Sequence, residues 1–116
     1  KMKKLKVYHN PRCSKSRQAL AYMDEKGLTY DIVRYLDHPL SKEDLTVLLA
    51  KIGVHADGLL RKNEQFYKAN MKGLNLTSDQ ILDYMLEEPK LIERPIIESA
   101  EKAVIGRPAE AIDELL

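Results

Sequence analysis

Apolar and polar positions alternate at the start of the chain. Lys4 to Tyr8 places Leu5 and Val7 on one side, which predicts a short strand. From about Ser14 to Lys26 the spacing changes to that of a helix, with Ala19, Leu20 and Met23 on a shared face and Gly27 as the stop. Asp31 to Leu36 carries Ile32, Val33 and Tyr35 and predicts a second strand. Strand, helix and strand in that order imply a parallel pair joined by a crossover.

The middle third is helical throughout. Ser41-Lys42-Glu43-Asp44 opens an amphipathic helix bearing Leu45, Leu48, Leu49 and Ile52, closed by Gly53. Thr77-Ser78-Asp79-Gln80 has the form of a capping box before Ile81, Leu82, Tyr84, Met85 and Leu86, and Pro89 lies just beyond. Short helical pieces are expected between them, around Leu59, Leu60, Phe66 and Tyr67. No repeat, low-complexity tract or long linker divides the chain.

Strands return at the end. Pro95 to Glu98 and Lys102 to Ile105 flank a tight turn at Ala100-Glu101, and Pro108 suits the first turn of a last helix with Ile112, Leu115 and Leu116. The expected fold is α/β: a mixed four-stranded sheet with a helical insert at about 40–90, all within a single domain, 1–116.

Length and charge narrow the function classes. The 116 residues suffice for one sizeable core, and 44% apolar with 32% charged residues describes a soluble globular chain. The formal charge is +1, from 19 basic and 18 acidic residues, so neither nucleic acid nor a membrane is an expected partner. No apolar run approaches the ~20 residues of a membrane span. The basic start has no apolar signal core behind it, and Lys1 before Met2 is read as a processing remnant. One cysteine excludes an internal disulfide, so a cytoplasmic, reducing location is expected. His9, His38 and His55 show no ligand spacing, and no metal site is expected.

That cysteine sits in "YHNPRCSKSR", residues 8 to 17. A helix beginning at Ser14 makes Cys13 its N-terminal cap, where unpaired N–H groups and the helix dipole favour a thiolate. Arg12, Lys15 and Arg17 act the same way if their side chains turn toward the sulfur. The competing reading is a buried, inert cysteine, against which its polar neighbours argue. His9 either polarises the site or shuttles a proton, or else ties the loop by hydrogen bonds.

Two arginines bracket the terminal hairpin. A turn centred on Ala100 and Glu101 sets Arg94 opposite Arg107, and like charges so placed call for an anion between them. A guanidinium fork matches an oxyanion with paired hydrogen bonds. Glu93, Glu98 or Glu110 could equally supply the negative charge. Arg61, in "LLRKN", reads by itself as a solvated surface charge.

Taken together, "YHNPRCSKSRQAL", "LLRKN", "ERPII" and "IGRP" resemble, in order and spacing, the glutaredoxin-dependent arsenate reductases of the ArsC family, from about Val7 to the C-terminus. The resemblance implies a thioredoxin-like sheet with an inserted helical subdomain. It implies that Cys13 attacks arsenate, with His9 beside it. Arg61, Arg94 and Arg107 would bind the oxyanion, Asn10 would share the loop as a substrate-side residue, and Pro95 would be the cis-proline of such folds. It also implies glutathione as cosubstrate, glutaredoxin as partner and no bound cofactor.

Two other functions are compatible with the sequence. Spx-like transcriptional regulators, which bind RNA polymerase, share the superfamily, but a redox-switched member usually has Cys-x-x-Cys and the second position here is Ser16. A monothiol thiol–disulfide redox protein could use Cys13 with Ser16 alone. A phosphatase-type loop needs an arginine six residues after the cysteine, where this chain has Ala19.

Overall fold

Val7 and Leu5 point from one strand into the core while Lys6 faces solvent, as the alternation requires. The structure, a computed structural model, describes residues 4–116, and the basic start at residues 1–3 lies outside the described residues. Strand β1, Leu5–Tyr8, leads to helix α1, Ser14–Glu25, and then to strand β2, Tyr30–Val33. The two strands are parallel, in register from Leu5 opposite Tyr30 to Tyr8 opposite Val33. Gly27, at φ +67°, turns the chain out of α1, because a left-handed residue there is cheapest without a Cβ.

Near the C-terminus, β3, Ile96–Glu98, and β4, Ala103–Ile105, form an antiparallel hairpin, and the sheet order is β2-β1-β3-β4. Ile96 pairs with Ile105, Ile97 with Val104 and Glu98 with Ala103, which is the register expected from a turn at Ala100-Glu101. The turn is tied by Ser99, whose N–H donates to the Lys102 carbonyl at 2.7 Å.

Leu5, Val7, Ala19, Met23, Ile97, Ile112 and Leu115 close the core of this part. Burying a side chain such as Met23 or Ile97 fully is worth roughly 1.5–3 kcal/mol. The described residues up to His38 and the segment Arg94–Leu116 form one compact unit, and Pro39–Glu93 forms the other.

The second unit is helical. Helix α2, Lys42–Ile52, begins with a closed capping box between Ser41 and Asp44. Helices α3, Gln65–Asn70, and α4, Ser78–Glu87, follow, and Thr77 and Gln80 close a second box at the start of α4. Single 3-10 turns occupy Ala56–Leu59 and Pro89–Leu91. Lys42 bridges α2 to α4 through Asp79 and Asp83, at 2.9 Å each. An isolated antiparallel bridge joins Leu60 to Ile92.

Two expected elements differ. The second strand stops at Val33 instead of Leu36, because the Arg34 carbonyl accepts from the N–H groups of Asp37 and His38 and closes a turn. Tyr35 is buried in that turn, while Ile32, on the edge strand, is 48% exposed. The final helix is a 3-10 helix, Ala109–Leu115, and Pro108 caps it in an extended conformation instead of occupying its first turn. With three residues per turn, Ile112 and Leu115 share the inward face and Leu116 falls outside it.

Candidate active site

The loop between β1 and α1 is held by hydrogen bonds from nearly every residue in it. The His9 N–H extends the parallel ladder to the Val33 carbonyl at 2.9 Å. Asn10 is buried, and its side-chain oxygen accepts from the Arg12 N–H at 3.0 Å. Its carbonyl accepts from the Cys13 N–H at 3.0 Å. Ser16, fully buried, offers its Oγ to the Asn10 N–H at 3.4 Å. Arg17 reaches back to the Pro11 carbonyl at 2.8 Å. Neither Ser16 nor Arg17 stood out as a loop-holding residue in the sequence; the spacing of a buried serine three residues into a helix was the available signal.

Cys13 is the N-cap of α1 and is half-buried. Its side chain makes no closed cap bond of the kind a serine or aspartate makes. Burial pushes the thiol up, but the Ser16 N–H, the Arg94 guanidinium and the Lys15 N–H outweigh it, and the pKa comes down to about 7 from 9.0. A substantial fraction is therefore thiolate at neutral pH. The side-chain charges of Arg12, Lys15 and Arg17, expected to help if turned inward, are not among these causes, and all three side chains are exposed. The charge that tunes the thiol comes from the other end of the chain.

Arg94 stands immediately before β3, and Arg107 follows β4 by one residue. The Gly106 N–H donates to the Pro95 carbonyl at 2.8 Å, so the hairpin register continues outward toward Arg94 and Arg107. Both Arg94-Pro95 and Arg107-Pro108 are cis, the first as the resemblance implied. A Cβ on Gly106 would lie 2.6 Å from Ile97 Cδ1 and 3.1 Å from Pro95 Cγ, so a larger residue there would force the Ile97 side chain to shift.

His9 is 5% exposed, and its Nδ1 is buried without a hydrogen-bond partner. Burial, then the charges of Arg34 and Arg17, hold its pKa below the ordinary 6.5. The imidazole is therefore neutral at pH 7. Arg61 belongs to the other unit. Its guanidinium meets Glu64 Oε2 at 3.4 Å and Glu93 Oε1 at 3.2 Å, and its side chain is only 10% exposed. It is not the solvated surface charge that its sequence context suggested. A hollow lined by Leu76, Gln80, Asp83, Tyr84 and Glu87 shares none of the residues around Cys13.

This arrangement, a thiolate at the open end of a helix with an arginine on its sulfur, is suited to nucleophilic attack on an anion. Comparison with known proteins agrees in family. The ArsC family profile matches residues 8–115. The chain belongs to the ArsC family. This ArsC-family chain is 39% identical over 117 residues to the arsenate reductase of Neisseria meningitidis serogroup A, covering 99% of the chain and 100% of that relative. It is 40% identical over 116 residues to the uncharacterized protein YfgD of Escherichia coli K12, covering 98% of each. Its structure is similar to that of an arsenate reductase from Vibrio cholerae, with a TM-score of 0.94, 36% identity and full coverage of both chains. The mixed sheet of this ArsC-family chain is thus thioredoxin-like, as expected. Among the described residues, no helix is long and apolar enough to cross a membrane.

Proposed function

We propose that this chain reduces arsenate to arsenite, with glutathione and glutaredoxin supplying the electrons. The observation that carries the proposal is the Cys13 thiol, brought down to about 7 at the start of α1 under the Arg94 guanidinium. Membership of a family whose named relatives are arsenate reductases supports the choice of oxyanion.

In this reading the Cys13 thiolate attacks arsenic and a hydroxide leaves as water, giving a Cys13–S–As(V) adduct. Glutathione displaces a second hydroxide and binds arsenic through its sulfur. A glutaredoxin thiolate then attacks the glutathione sulfur, the As–S bond electrons remain on arsenic, and As(III) and a mixed disulfide result. Water finally replaces Cys13 and releases arsenite. No resolving cysteine is needed in the chain, and no bound cofactor.

Arg94 and Arg107 hold the oxyanion and lower its repulsion from the thiolate. Arg61 takes the same role by resemblance, with its guanidinium plane fixed by Glu64 and Glu93. His9 serves as a neutral hydrogen-bonding group. Asn10 acts on the substrate through the shape of the loop, since its oxygen is engaged by the Arg12 N–H. A reducing compartment such as the cytoplasm suits the exposed part of such a thiol.

The test is arsenate-dependent NADPH oxidation coupled through glutathione, glutaredoxin and glutathione reductase. Turnover that disappears in Cys13→Ser is expected. Folded protein without turnover, its Cys13 still open to alkylation, would remove arsenate from the proposal.

A further inference from the structure

Arg61 has more negative charge around it than its burial demands. A single carboxylate compensates a largely buried guanidinium. This one has two, with Glu64 Oε2 at 3.4 Å from Nε and Glu93 Oε1 at 3.2 Å from Nη1. One guanidinium against two carboxylates leaves negative charge in excess, at a side chain assigned to an anion.

The backbone sets this cluster in place. Around the Leu60–Ile92 bridge, the Arg61 N–H donates to the Leu91 carbonyl at 2.7 Å and the Glu93 N–H to the Leu59 carbonyl at 2.8 Å. Arg61 and Glu93 thus lie diagonally across two short extended segments, a spacing that long side chains can span. Glu64 comes round by a turn, its N–H donating to the Arg61 carbonyl at 3.4 Å. All three residues belong to the unit Pro39–Glu93. The Glu64 and Glu93 side chains remain about a quarter exposed, so their oxygens are open to a small ion.

A carboxylate only accepts hydrogen bonds and a guanidinium only donates them. Side by side they match a ligand that does both. Hydrogen arsenate and hydrogen phosphate are such ions, because each keeps an O–H beside its charged oxygens at neutral pH. Sulfate has the same tetrahedral shape without the proton, and it sets a bare oxygen against a carboxylate.

We propose that Glu64 and Glu93 make the Arg61 site selective for a protonated oxyanion, admitting hydrogen arsenate or hydrogen phosphate and refusing sulfate. Arg61 donates to the charged oxygens, and the O–H of the ligand donates to a carboxylate. The inference rests on the proposed function only in assigning Arg61 to the oxyanion, and its test needs no turnover.

The test is isothermal titration calorimetry with phosphate, sulfate and monofluorophosphate at about pH 8, where all three are dianions. Monofluorophosphate keeps the phosphorus and charge of hydrogen phosphate and has fluorine in place of the O–H. Phosphate is expected to bind about tenfold or more tighter than either of the others. In Glu64→Gln/Glu93→Gln the carboxylates become amides that can donate. Sulfate should then gain about tenfold, and the preference for phosphate should vanish. A variant that merely loosened its fold would not bind any anion more tightly, so the gain for sulfate is the readout.

Equal affinities in the native protein, tighter binding of sulfate, or binding of none of the three would overturn the inference. So would a phosphate preference that survives in the variant, since the proton would then be read elsewhere. Should the variant fail to fold, phosphate against monofluorophosphate on the native protein decides alone. Arsenate turnover is scored separately. Turnover with three equal affinities keeps the proposed function and removes this selectivity, and a ranked series without turnover does the reverse.

Discussion

The N-termini of α1 and α4 are built on the same backbone plan and finished differently. At α4, Thr77 Oγ1 accepts from the Gln80 N–H at 3.2 Å and Gln80 Oε1 accepts from the Thr77 N–H at 2.9 Å, so the protein consumes its own helix end. At α1 the cap is Cys13, whose side chain closes no such bond, and no acid occupies the first turn. The N–H groups of Lys15 and Ser16 favour negative charge on sulfur instead. A closed cap contributes to stability, whereas an open cap under Arg94 contributes to reactivity. The difference lies in one residue's ability to satisfy orphan donors.

That contrast can be attacked from both ends. The largest effect is expected at the open end: Arg94→Lys keeps the charge but loses the fork, and arsenate turnover should drop roughly a hundredfold in the coupled assay. Near-native turnover in this variant would mean that charge alone suffices. Next in size is a titration. Alkylation of Cys13 by iodoacetamide should rise with pH to a plateau, with its midpoint at about 7. Removing the donor and the charge in Arg94→Ala raises the thiol pKa, so that midpoint should move toward 9.0; an unmoved midpoint would assign the whole effect to α1.

At the closed end, Thr77→Ala should cost about 1 kcal/mol in urea unfolding while leaving the alkylation midpoint in place. A shifted midpoint would show that the two ends are coupled. The smallest effect is the most direct comparison. Cys13→Ser turns the open cap into a better one and should stabilise the protein by about 0.5–1 kcal/mol. It is best measured at pH 5, where the native thiol is neutral and no thiolate contribution interferes. A loss of stability would indicate that the sulfur packs better than the hydroxyl caps.

Much of this was legible before the structure. The capping box at Thr77, the helix start at Ser41, the stop at Gly27 and the hairpin register follow from local chemistry, in which a residue and its partner lie three to nine positions apart. The position of Cys13 at the start of α1 is of the same kind. What escaped depends on distant partners or on small conformational choices. Which cation tunes Cys13 could not be read from its neighbours, because exposed side chains beside a residue need not face it. Arg94 does so only through the pairing of β1 with β3. The neutrality of His9 follows from burial and from Arg34, beyond β2. The carboxylates on Arg61 come from Glu64, in the next turn, and Glu93, far along the chain. The last helix chose 3-10 geometry, which apolar residues three apart satisfy as well as α geometry does.

The arrangement of β3 beside β1 also imposes an order in time. A ribosome releases Cys13 well before Arg94, which lies 81 positions later in the chain. Until the hairpin docks, the nascent cysteine has the motif and not the guanidinium. Folding therefore arms the thiol, and a truncated or unfinished chain carries the nucleophile without its main charged activator.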